Sequence, residues 1–90
     1  MVLTSDIRRG VDNWNAWRRK ERLTKPDLSD AKLSRADLSG AQLWWSNLSG
    51  ANLAGADLNG ADLTRSTLIG TDFTALISPV VTSMAYARGV

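Results

Sequence analysis

Residues 26–75 read PDLSD AKLSR ADLSG AQLWW SNLSG ANLAG ADLNG ADLTR STLIG TDFTA when written in fives. Leu holds the third place in nine of these ten units, and Phe73 holds it in the last. Two places earlier stands a small residue in every unit but the first: Ala31, Ala36, Ala41, Ser46, Ala51, Ala56, Ala61, Ser66 and Thr71. Such internal periodicity outranks local propensity in reading a fold. A period of five fits neither regular element. On an α-helix, five steps carry each Leu about 140° around the axis, so the ten would face every direction. On a straight strand an odd period alternates faces and turns half of them to water. The conflict vanishes if the chain bends once per unit, because the small residue and the Leu then point inward together each time. Gly40, Gly50, Gly55, Gly60 and Gly70 sit where the bend falls, with Ser, Asn and Thr nearby to bond local backbone.

The units resemble the pentapeptide-repeat pattern, small–Asp/Asn–Leu/Phe–Ser/Thr–Gly, over residues 26–75. That resemblance implies a β-solenoid: a right-handed quadrilateral parallel β-helix with four units per coil. Ten units then make about two and a half coils, a stub of roughly 12 Å at the strand spacing of about 4.8 Å. The segment WNAWRR ahead of PDLS resembles an N-terminal element found before such repeats. The departures carry expectations of their own. Pro26 suits a chain entering the solenoid. Asp30, Arg35, Trp45, Arg65 and Ala75 stand where Gly is favoured, so those corners are expected to use a turn that tolerates a side chain. Phe73 is expected to fill the wider end of the core.

Three regions follow: a basic capping helix in 1–25, the repeats in 26–75, and a cap or dimerisation tail in 76–90. An open solenoid exposes unpaired backbone at each end, and both flanks read as covers. Residues 5–22 are predicted helical, with Ser5 as N-cap and Ile7, Val11, Trp14 and Trp17 or Arg18 on one stripe. Gly10 weakens that helix by about 1 kcal/mol relative to Ala. Ser78-Pro79 signals a short C-terminal helix stopping near Gly89. Its Val80, Val81, Met84 and Tyr86 would cover the last coil or a second copy, and Ile69 belongs with that cover. The resemblance adds that end-on pairing at the C-terminal coil occurs in the family, which makes a homodimer one expected partner.

Charge is divided along the chain. Residues 1–25 carry seven Lys and Arg against three acids, net +4, whereas residues 26–75 carry three against six Asp, net −3. Hydrophobic residues are 43%, too many for a disordered chain. With no Cys and no His, thiolate chemistry, disulfides, imidazole catalysis and the usual zinc sites are excluded. The N-terminal residues and the lack of a long apolar run predict a soluble, cytoplasmic protein.

The second-place carboxylates (Asp27, Asp37, Asp57, Asp62, Asp72) and Asp30 lie outward on a convex rod, so no catalytic or metal role, no cofactor and no small-molecule substrate are expected. The sharpest anomaly is Trp44-Trp45, in the outward fourth and fifth places of AQLWW. At twenty residues per coil Arg65 stacks beside Trp45, where a cation–π contact of about 0.5–1 kcal/mol is expected. Either the termini fold over this pair, or Trp44, Trp45 and Arg65 form an interaction surface for a protein partner or a second copy. The preferred function is thus a non-enzymatic protein-interaction or scaffolding module. The alternative is a polyanion adaptor, binding nucleic acid or an anionic membrane through Arg8, Arg9, Arg18, Arg19, Lys20 and Arg22. The resemblance also suggests DNA mimicry of the kind that protects type II topoisomerases from quinolones. A body of −3 over so short a rod argues against it.

Overall fold

The computed structural model describes Ile7 and residues 9–75. From Pro26 on, the backbone meets itself again every twenty residues. Parallel bridges join Asp27 to Asn47, Lys32 to Asn52, Asp37 to Asp57, Gln42 to Asp62, Asn47 to Thr67 and Asn52 to Asp72. They are isolated bridges, and the described residues contain no longer strand. The reason is geometric: with a bend every five residues, only the second place of each unit is extended and paired.

Three hydrogen bonds repeat along the stack. The second-place N–H donates to a first-place carbonyl twenty-one residues earlier, as Asn47 does to Pro26 at 2.9 Å. The third-place and fifth-place N–H groups donate to carbonyls nineteen residues later, as Leu28 does to Asn47 and Asp30 to Ser49, both at 2.8 Å. Each bend is closed by a bond from the next unit's first N–H back to the Leu carbonyl, for example Ala31 to Leu28 at 3.0 Å.

Inside, the third-place residues Leu28 to Leu68 are no more than 1% exposed, and the first-place alanines line the same interior. Phe73 is half-buried against this core. Ser66 and Thr71, polar residues at the inward first place, turn their hydroxyls to Leu43 O and Leu48 O at 2.7 and 2.8 Å. Leu23 marks where the stack begins. It falls five residues before Leu28 and so keeps the inward phase, yet it is 90% exposed.

The corners differ from expectation. All ten fifth-place residues adopt the same left-handed backbone: the glycines at φ 71 to 74, and Asp30, Arg35, Trp45, Arg65 and Ala75 at φ 53 to 66. No alternative turn serves the residues that carry side chains. The turn needs positive φ at its third residue, and stacking at fixed register imposes that turn on every unit. Left-handed backbone costs a non-glycine residue about 1–2 kcal/mol, partly offset by the greater freedom glycine has when unfolded. Arg35→Gly is therefore expected to raise stability by about 0.5–1 kcal/mol, read from the urea midpoint.

Ahead of the stack lies α1 (Val11–Lys20), within the predicted 5–22. The helix ends at Lys20 and is interrupted at Gly10, with Ile7 helical before it. Gly10 is its N-cap, at φ 141 and ψ 141, a conformation open to glycine that halts the helical path. The Ser5 cap falls outside the described residues. Ile7 and Trp14 are 1% exposed and join the core, with Val11 and Trp17 partly buried against it. The Trp14 and Trp17 rings meet at 5.1 Å between centroids, tilted by 50°. Asp12 in the first turn and Arg18, Arg19 and Lys20 in the last match the helix dipole. No helix among the described residues is long and apolar enough to cross a membrane.

Candidate functional site

The second-place acids have a local structural role. Asp27, Asp37, Asn47, Asn52, Asp57, Asp62 and Asp72 each accept from the N–H two residues on, at 2.9 to 3.1 Å. This Asx arrangement fixes the approach to the bend, and Asn serves it as well as Asp. Hydroxyls of Ser29, Ser39 and Thr74 also donate to Asp27, Asp37 and Asp72. Those hydroxyls, with the backbone N–H second, hold the three carboxyls below their ordinary range. A pKa lowered by folding contributes stability above the unfolded value, and the contribution disappears as pH falls through the folded one. Stability should thus be level from neutral pH to about 5 and decline below about 4. Asp27→Asn, Asp37→Asn and Asp72→Asn together should flatten that decline in urea midpoints taken across pH. Among the described residues, no cluster of three or more acids is placed to hold a metal ion.

The face that breaks the pattern is the one α1 touches. Within the stack a second-place N–H, a second-place carbonyl and a fourth-place carbonyl are paired with residues about twenty earlier. For Gln42 and Trp44 those partners would be residues 21, 23 and 25, where the chain is not yet in register. Side chains of α1 stand in for them. Asn15 Oδ1 accepts from Gln42 N at 2.8 Å, and Asn15 Nδ2 donates to Gly40 O at 3.0 Å. Trp14 Nε1 donates to Gln42 O at 2.9 Å. Arg18 Nη2 donates to Trp44 O at 2.6 Å, while Nη1 donates to Thr24 O at 2.9 Å.

Arg18 is fully buried. Its guanidinium lies 3.8 Å from the centroid of the Trp44 ring. The Nε group is buried without a hydrogen-bond partner. Burial lowers its pKa from the ordinary value, although a guanidinium keeps its charge in proteins. Arg18 must therefore be removed from the expected polyanion contacts, since its donors point inward to backbone carbonyls. Arg9, Arg19, Lys20 and Arg22 are exposed, and Arg8 lies outside the described residues.

Trp44 and Trp45 are both half-buried. The cation over the Trp45 ring is Lys25, at 4.7 Å from the centroid, a contact the sequence reading did not anticipate. Trp45 and Arg65 are fifth-place residues spaced by twenty, whereas Lys25 precedes the register of the stack. An open groove of about 520 Å³ is lined by Trp44, Trp45, Asp62, Thr64 and Arg65. Arg65 thus lines the same groove as Trp45. Ile69 is 61% exposed on another face. The proposed self-association residues Val80, Val81, Met84 and Tyr86 fall outside the described residues.

A family model described as pentapeptide repeats (8 copies) matches residues 46–75. The chain is a pentapeptide-repeat protein. Repeats of this class imply a right-handed β-helix, and the matched segment spans six consecutive units. The four earlier units of this pentapeptide-repeat protein, residues 26–45, have the same burial, bridges and left-handed corners as the matched ones. They also hold the least typical of the set, AQLWW. No curated protein matches the chain.

Proposed function

We propose that this pentapeptide-repeat protein is a cytoplasmic, non-enzymatic protein-interaction or scaffolding module. In this reading residues 26–75 form a right-handed quadrilateral β-helix of about two and a half coils, α1 caps its first coil, and the face bearing Trp44, Trp45 and Arg65 meets a partner protein or a second copy. The carrying observation is that two tryptophans occupy outward places where the other units, Ile69 apart, have small, polar or charged side chains, and line an open groove with Arg65. Trp and Arg are favoured anchors at interfaces. The carboxylates support the non-enzymatic part, because those that look catalytic are tied to the bends.

Trp44 has a second duty beneath Arg18, so Trp45 is the cleaner probe. Trp45→Ser should leave the urea midpoint unchanged or slightly higher while reducing capture of a partner, or self-association measured by sedimentation, by at least about tenfold. A collapse of the fold would assign Trp45 to structure instead. Unaltered association would remove this face from the function.

A further inference from the structure

Beside the tryptophan groove lies a second one, lined by Arg18, Arg19, Arg22, Gln42, Trp44 and Asp62. The two share Trp44 and Asp62 and so adjoin. One end of the joined surface is aromatic, the other holds three guanidinium groups. Arg18 at its base is a fully buried cation that makes no ion pair among the described residues, and its Nε has no acceptor. A buried, uncompensated charge is felt strongly by groups brought near it in low dielectric. Arg19 and Arg22 are exposed above it, and Lys25 lies over Trp45. Asp62 is the one acid in either lining, and its carboxylate already accepts from the Thr64 N–H and hydroxyl.

The geometry points to an acidic peptide segment of a partner protein as the occupant, with carboxylates at Arg19 and Arg22 and a neighbouring apolar side chain in the Trp44–Trp45 groove. This rests on the interaction-surface reading above and names the partner's chemistry. Guanidinium groups bind carboxylates through paired, charge-assisted hydrogen bonds. A single-stranded nucleic acid would use the same cations, but it also needs free aromatic faces for stacking. Here a cation already covers one face of each ring. Asp62, between the two grooves, also opposes a continuous line of phosphates. A peptide needs only one free ring face for an apolar side chain, and with two carboxylates in place of a line of phosphates it opposes Asp62 less.

The test uses the full chain and three probes: a short peptide with two adjacent Glu beside a Leu, the same peptide with both Glu changed to Gln, and a short oligothymidylate. Binding is followed by probe anisotropy and tryptophan fluorescence. The acidic peptide is expected to bind about tenfold more tightly than its Gln counterpart, with the advantage shrinking as salt rises. Arg19→Gln with Arg22→Gln should erase that advantage while lowering the thermal midpoint only slightly, since both side chains are exposed and Arg19 gives up only its charge at the helix end. Trp45→Ser should weaken both peptides. Equal binding of the two peptides by the unaltered chain, still sensitive to Trp45→Ser, would overturn the acidic partner while leaving the interaction surface standing. Preferential binding of oligothymidylate would overturn it in favour of nucleic acid. Binding of neither peptide, or binding indifferent to Trp45→Ser, would overturn the acidic-segment proposal, while the interaction surface itself stands or falls on the Trp45→Ser association measurement above.

Discussion

Leu48→Ala is expected to lower stability by about 3 kcal/mol, within the 2–5 kcal/mol range for truncating a buried Leu. Leu48 is fully buried in the middle of the stack. Its N–H donates to Thr67 O and its carbonyl accepts from Ala51 N and the Thr71 hydroxyl, so its neighbours are held in register and cannot collapse into the cavity. A domain of this size has a total of order 5–13 kcal/mol, which makes this single methyl-rich side chain a large share of it. Leu23→Ala is the matched control. It shares the five-residue phase but is 90% exposed, and its replacement should change stability by no more than about 0.5 kcal/mol. Urea unfolding of the pair separates a phase that merely recurs in sequence from one that is buried in space.

The second large effect belongs to Arg18. Its removal takes away both donors to Thr24 O and Trp44 O and uncovers the Trp44 ring. Against this stands some relief, because burying a guanidinium with an unpaired Nε is itself costly. The orphaned carbonyls and the lost packing outweigh that relief, and Arg18→Ala should lose about 3 kcal/mol. Arg18→Lys should recover less than half of it, since one ammonium cannot replace a planar fork that reaches two carbonyls and stacks on a ring. If Arg18→Ala unfolds at the same urea concentration as the unaltered chain, the joint between α1 and the stack is unimportant.

The interior was legible because one residue type recurs at a spacing that only a bend per unit can bury. Burial of the third and first places follows directly from that spacing. The conformation of the corners was not legible at Asp30, Arg35, Trp45, Arg65 and Ala75. Their side chains argue locally against left-handed backbone, and it is the register of the neighbouring levels that overrides them. The interruption at Gly10 was missed in the opposite sense, because the apolar stripe runs through Gly10 while the helical backbone does not. Arg18 was legible as a stripe residue and as a cation, but sequence cannot say which reading burial will choose.

Asn15 was missed altogether. Its one trace is paired with another: an amide on the buried side of α1, and Gln42 standing where most units have Asp or Asn. The Gln42 backbone N–H has no carbonyl one level below, because residue 21 lies ahead of the repeats, and it is met by the Asn15 amide oxygen. Lys25 stands twenty residues before Trp45, but the backbone there is not yet in register, so the period alone does not place it over the ring.

Nuclear Overhauser contacts between backbone protons measure this period most directly. Close approach is expected between Asp27 and Asn47, Gln42 and Asp62, and Asn52 and Asp72, the pairs bridged in the structure. Residues 26–75 giving instead a ladder of contacts between residues three and four apart, with none at twenty, would contradict the account.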